Sequence, residues 1–269
     1  MRYMKGSLVV TADGDIPLLR LVRNCRFVSH QQLFELLRHD AVLSSRSTFN
    51  WRIQRLMKSG RIERQSDLDL EGLPVYSITQ RGLLELERHG EFRIPLNSST
   101  RQMPDPVQVF HALELNSIRL ALARSALLVS WQSELDISSW NMASESPFQK
   151  DYDAIVKIWV GNEIREFALE YERSLKNAKQ YESVRAALEA ERMVPCVLYV
   201  TVDANLLLVV LHQLTPIAKR LGFLTARAFR EQLLAASVTT EPTRAMVTLE
   251  EFLQYSHPLY SGSEGRTGY

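Results

Sequence analysis

The sequence predicts an α+β protein in two parts. Residues 15–90 run helix, helix, helix, hairpin, helix, the order of a winged helix-turn-helix. Beyond residue 106 the hydrophobic spacing switches repeatedly between helix and strand periods, as expected of an α/β domain built on a mixed sheet. A polar stretch with Pro95, Pro104 and Pro106 separates the two. The segments follow: a winged-helix domain at 1–90, a linker at 91–106, an α/β domain at 107–257 and a flexible tail at 258–269.

Each element has a local cause. Residues 15–23 place Leu18, Leu19 and Val22 on one side of a first helix. Residues 25–28 are a short connection. Ser29 and Gln32 form a capping box that starts a second helix, ending near Arg38. A turn at 40–44 leads to Ser44 or Ser45 as the cap of a third helix, which Gly60 stops. In that helix Phe49, Ile53, Leu56 and Met57 form one apolar stripe. Strands at 61–64 and 73–78 flank a polar hairpin tip, and Thr79 caps a helix closed by Gly90.

The second part opens with a helix over 107–125 and a strand over 127–133. Residues 136–149, rich in serine, read as irregular. Strands at 152–160 and 163–171 make a hairpin around Gly161-Asn162. A helix at 175–192, a strand at 196–202 and a helix at 206–221 follow, with Gly222 as its stop. Residues 223–234 read as a short helix, 246–249 as an edge strand and 250–255 as a last helical turn.

Composition narrows the classes. Hydrophobic residues make up 45% and charged residues 23%, as in an ordinary globular protein. Cys25 and Cys196 have no metal-ligand spacing, which argues against a zinc site or a disulfide framework. No signal peptide is recognisable, and the most apolar run, 204–214, is too short to span a bilayer. A cytoplasmic protein without a membrane partner is expected. The net charge of +1 hides a division: residues 1–103 hold 16 Lys and Arg against 11 Asp and Glu, while the remainder holds 16 against 20. The basic part carries the third helix, as phosphate binding requires.

That helix sets the expected DNA interface. Ser45, Arg46, Ser47, Asn50 and Gln54 are suited to base edges in a major groove, and Trp51 to sugar or a thymine methyl. Arg52, Arg55, Lys58, Arg61 and Arg64 are candidates for phosphate. Winged-helix readers commonly act as dimers on paired half-sites, so a homodimer is expected. Downstream, Glu170 and Glu172 share one strand face near the hairpin that begins at Asp151 and Asp153. Carboxylates gathered at strand ends are how nucleases hold Mg²⁺, with Asp153 and Glu170 as the metal ligands. Solvated strand-end carboxylates are common, and the two readings stand side by side.

The motifs Tyr76-Ser-Ile-Thr-Gln-Arg-Gly82, His111-Ala-Leu-Glu-Leu-Asn-Ser-Ile118, Asp151-Tyr-Asp-Ala154 and Phe167-Ala-Leu-Glu-Tyr-Glu-Arg-Ser174, with Lys176 and Tyr181, resemble the replication-relaxation family of bacterial mobile elements. The likeness covers roughly residues 15–255. It implies that the second part resembles a PD-(D/E)XK nuclease fold, with Asp153 and Glu170 in its two acidic positions. The lysine expected two residues after the second acid is Glu172 here, and Lys176 or Lys179 on the following helix is the displaced candidate. The expectation is therefore a sequence-specific double-stranded DNA-binding protein of a plasmid, phage or integrative element, acting in replication, transfer or transcription control. It needs no cofactor, and a further mobile-element protein is a possible partner. The alternative is a Mg²⁺-dependent nuclease using Asp153, Glu170, Glu172 and Lys176.

Overall fold

The computed structural model describes residues 9–43, 45–65, 73–91, 105–241 and 245–254. Ser44, most of the expected hairpin tip, most of the linker and the tail lie outside the described residues. The architecture is mixed α+β and, among the described residues, has one three-stranded, one five-stranded and one two-stranded sheet. By packing, the chain divides into two units. Unit 1 comprises Met1–Ala126, Trp131–Pro147 and Asp151–Ala154; unit 2 comprises Leu127–Ser130, Phe148–Lys150 and Ile155–Tyr269.

Unit 1 begins with α1 (Asp15–Cys25) and the two-residue strand β1 (Val28–Ser29). Val28 falls in the segment 25–28 expected as a connection, and Ser29 is the expected cap. Both pair with β3, Val28 opposite Tyr76. α2 (His30–His39) starts on the expected capping box: the Ser29 hydroxyl accepts from Gln32 N, and Ser29 N donates to the Gln32 side chain. α3 (Arg46–Lys58) is capped by Ser45, whose hydroxyl accepts from Thr48 N. Gly60 follows at φ +68, a left-handed turn that favours glycine.

β2 (Ile62–Arg64) and β3 (Val75–Ile78) form an antiparallel pair, and the sheet order is β1-β3-β2. Thr79 caps α4 (Gln80–Arg88) through Gly82 N. Gly82 has no room for a side chain, because a Cβ there would press on the Arg61 carbonyl. The core beneath is continuous. Phe49, Ile53 and Leu56 of α3 meet Leu18, Leu19, Leu33, Phe34 and Ile78, all buried. Each such side chain contributes roughly 1.5–3 kcal/mol on burial.

α5 (Pro106–Arg124) is capped by Asp105, with proline at its first position. It packs within unit 1: Gln32 Nε2 donates to Leu113 O at 2.8 Å, and Asn116 Nδ2 donates to Phe27 O at 2.8 Å. The division by packing therefore differs from the division by segment at residue 107. β4 (Leu128–Ser133) leads to α6 (Glu134–Ala143). This helix corrects the expectation of irregular chain from residue 136. Its signal is a second capping box, Ser133 with Asp136, hidden among serines. Arg23 of α1 is fully buried and fastens α6: its guanidinium meets Asp136 Oδ1 at 2.7 Å and Asn24 Oδ1 at 2.7 Å.

Unit 2 carries the expected hairpin, β5 (Ala154–Val160) and β6 (Glu163–Glu172), with Gly161 at φ +58 in the turn. α7 (Ala178–Ala190) is capped by Asn177. It connects β6 to β7 (Val197–Thr201), which runs parallel to it. α8 (Ala204–Leu214) then connects β7 to β8 (Leu221–Thr225), again parallel. The five-stranded sheet has the order β4-β5-β6-β7-β8 and is mixed.

Three expectations are corrected here. α8 ends at Leu214, because Pro216 forces Thr215 to an extended conformation, ψ 149. Gly222 is a strand residue and no helix stop: a Cβ would meet Val238 Cγ1 at 2.8 Å and Phe252 Cζ at 2.9 Å. Residues 223–225 belong to β8, and the short helix is α9 (Ala226–Gln232). β9 (Ser237–Val238), β10 (Val247–Thr248) and α10 (Leu249–Gln254) complete the unit.

Removing the Arg23 guanidinium strips a buried anchor from α6, while Asp136, 31% exposed, regains some water. Arg23→Ala is expected to lower stability by about 3 kcal/mol, read as a shift in the urea midpoint at unchanged m-value.

Candidate nucleic-acid interface

α3 separates its residues by angle. Phe49, Ile53 and Leu56 point into the core. Ser47, Asn50, Trp51, Gln54 and Lys58 recur at i, i+3, i+4, i+7 and i+11, so they share the opposite face, and all are exposed. Arg46 is exposed beside them, its guanidinium 4.5 Å above the Phe34 ring. Arg64 at the end of β2 is exposed as well. Among the described residues, Arg46, Lys58 and Arg64 are paired with no carboxylate.

The other basic candidates are turned inward, which corrects their expected role in phosphate contact. Arg61 is 7% exposed and donates to Glu85 Oε2 from Nε at 3.0 Å and Nη2 at 2.8 Å. Arg55 forms an ion pair with the fully buried Asp15 and donates to Val9 O at 2.8 Å. Its guanidinium also stacks 5.0 Å above the Trp51 ring, which holds that exposed indole in place. Arg52 is half-buried against the backbone of Gly14. Arg55 and Arg61 are structural, because their charges are spent on holding α3 to α1 and the start of β2 to α4. Ser45 serves the helix cap and shares a hydrogen bond with the Ser47 hydroxyl at 2.8 Å.

His30 and Tyr76, not among the expected DNA-contacting residues, lie behind this face. His30 Nε2 lies 3.1 Å from Asn50 Oδ1, and His30 Nδ1 lies 3.0 Å from the Tyr76 hydroxyl. The imidazole packs on Phe49, ring centroids 4.8 Å apart. Partial burial and the charge of Arg46 hold the His30 pKa below its ordinary value, so the ring is neutral near pH 7. Nothing in the spacing of His30, Asn50 and Tyr76 signals this meeting. It arises because β1 and β3 pair beside the start of α2.

The acidic candidates fall into both units. Glu170 and Glu172, in unit 2, are buried at the end of β6. Each meets a lysine: Lys150 Nζ lies 2.7 Å from Glu170 Oε2, and Lys176 pairs with Glu172. Lys176 does reach an acid as expected, but from the segment before α7 and not from the helix, which begins at Ala178. Lys150 was not singled out by the sequence. Asp153, in unit 1, lies 3.3 Å from His111 Nε2. Both line a cavity of about 300 Å³ with Glu134, Arg26 and Trp131. Burial pushes the Glu134 carboxyl above its usual range against the pull of Arg26, 3.0 Å away.

A magnesium ion requires several oxygen donors that carry uncompensated charge. Glu170 and Glu172 already hold ammonium groups. Among the described residues, no group of three or more His, Cys, Asp or Glu side chains is placed to hold a metal. The residues do not fit a Mg²⁺ site. Cys25 and Cys196 are buried thiols, not joined in a disulfide, and burial pushes the Cys25 thiol up to about 11. Among the described residues, no helix is long and apolar enough to cross a membrane.

No protein-family model, curated protein or solved structure matches the chain.

The division of the α3 cations has a direct consequence. Arg55→Ala strands the Asp15 carboxylate in the core and is expected to cost about 3–5 kcal/mol. Lys58→Ala, on the exposed face, is expected to change stability by no more than about 0.5 kcal/mol. Thermal and urea unfolding of the two variants give the comparison.

Proposed function

We propose that the chain is a sequence-specific double-stranded DNA-binding protein, and that α1–α4 with β1–β3 form a winged helix-turn-helix. In this reading α3 is the recognition helix and the β2–β3 hairpin is the wing. The observation that carries it is the outward face of α3. A helix that buries Phe49, Ile53 and Leu56 so fully presents Arg46, Ser47, Asn50, Gln54 and Lys58 together, with cations that hold no carboxylate among the described residues. Helices of this size enter a major groove, and these side-chain types hydrogen-bond base edges and phosphates.

Arg46, Ser47, Asn50 and Gln54 take the base-reading role, and Lys58 and Arg64 take the phosphate role. The motif likeness to the replication-relaxation family supports a place in a mobile element's replication, transfer or transcription control. A homodimer on two half-sites is part of the same proposal. For unit 2, the paired state of Glu170 and Glu172 favours a non-catalytic role over hydrolysis.

A gel shift on sites selected from a random duplex library tests this reading. Arg46→Ala with Asn50→Ala is expected to weaken selected-site binding by on the order of tenfold or more and to relax base preference. Lys58→Ala is expected to weaken all duplexes alike and to reduce the salt slope by about 1. Unchanged affinity and unchanged site preference in the double variant contradict the assignment.

A further inference from the structure

On the reading of α3 as a recognition helix, we infer that Tyr76 and His30 form a relay that fixes the carboxamide of Asn50, making it a hydrogen-bond donor to the groove and a reader of guanine. The Tyr76 side chain sits in β3 and the residue is 4% exposed. A buried hydroxyl hydrogen without an acceptor is costly, and His30 Nδ1 lies 3.0 Å away. The hydroxyl therefore donates to Nδ1.

A neutral imidazole carries one N–H. With Nδ1 accepting, the proton sits on Nε2, and Nε2 donates to Asn50 Oδ1 at 3.1 Å. Phe49 packs against the ring at a 55° tilt, with 4.8 Å between centroids, which restrains the imidazole. Asn50 is exposed, and with Oδ1 held by His30 its Nδ2 amide becomes the edge offered to DNA.

The polarity decides the base. An asparagine free to use both ends pairs in bidentate fashion with adenine, accepting from N6 and donating to N7. With Oδ1 turned toward His30, Asn50 presents its two Nδ2 N–H donors to the groove. Guanine presents N7 and O6, both acceptors, whereas the adenine N6 amino group opposes a donor. His30 and Tyr76 are thus positioning residues. They touch no base and act through Asn50.

The relay is tested by binding-site selection with the full-length protein, comparing wild type with Tyr76→Phe, His30→Phe and Asn50→Ala. Tyr76→Phe removes one oxygen and releases the tautomer. His30→Phe keeps an aromatic ring against Phe49 but frees Oδ1. The wild type is expected to prefer guanine over adenine at one position by on the order of tenfold. That preference should fall toward parity in Tyr76→Phe and turn toward adenine in His30→Phe, while affinity for random duplex stays within about twofold in both. A gain of adenine is a readout that simple loss of structure does not produce.

If Asn50→Ala alters the selected base but both aromatic variants keep the wild-type preference, the relay is overturned and DNA reading by α3 stands. A wild-type preference for adenine at the Asn50 position also overturns it. If the wild-type protein selects no sequence at all, the DNA-binding reading falls, and the relay falls with it.

Discussion

The buried carboxylate of Asp15 is the constraint on which the N-terminal unit depends. It stands at the start of α1 and is fully enclosed. Thr11 donates to it from both its backbone N–H, at 2.8 Å, and its hydroxyl, at 3.0 Å. Arg55 of α3 supplies the countercharge. A buried charge tolerates no loss of its partner, so this pair fixes the rotation of α3 about its axis. Once Arg55 must face α1, Phe49, Ile53 and Leu56 face the core, and Ser47, Asn50, Gln54 and Lys58 have no direction left but outward. Arg61 with Glu85 repeats the device between the start of β2 and α4.

This division of labour among cations explains what the sequence could and could not show. The helix starts were legible because their causes are local. The Ser29–Gln32 box, the Ser45 and Thr79 caps and the Gly161 turn each act within four residues. The apolar stripe of α3 was legible for the same reason. The fates of Arg52, Arg55 and Arg61 were not, because a guanidinium looks the same in sequence whether it meets a phosphate or a buried carboxylate forty residues away. β8 was missed because a short apolar segment beside a glycine fits a strand or a helix end equally well. Only the approach of Val238 and Phe252 to Gly222 shows why glycine is needed there. His30 and Tyr76 were invisible as partners of Asn50 because strand pairing, not spacing, joins them.

The acidic residues tell a related story. Two glutamates two apart on a strand suggested a metal site, and their burial at the end of β6 sharpened the question. Burial alone is expensive for a carboxylate, so each needs a cation. The chain supplies Lys150 to one and Lys176 to the other. Both solve the charge problem internally, which leaves little for a divalent ion to neutralise. His111, Glu134 and Asp153 form a separate group around a cavity in unit 1. The weight of the functional account therefore rests on the outward face of α3.

Hydrogen exchange of the full-length protein with and without a selected duplex tests that claim most directly. The account predicts slowed exchange at amides of the α3 N-terminal half and of the β2–β3 pair, with the buried strand β7 unchanged. Protection confined to unit 2, with α3 exchanging as in the free protein, would contradict it.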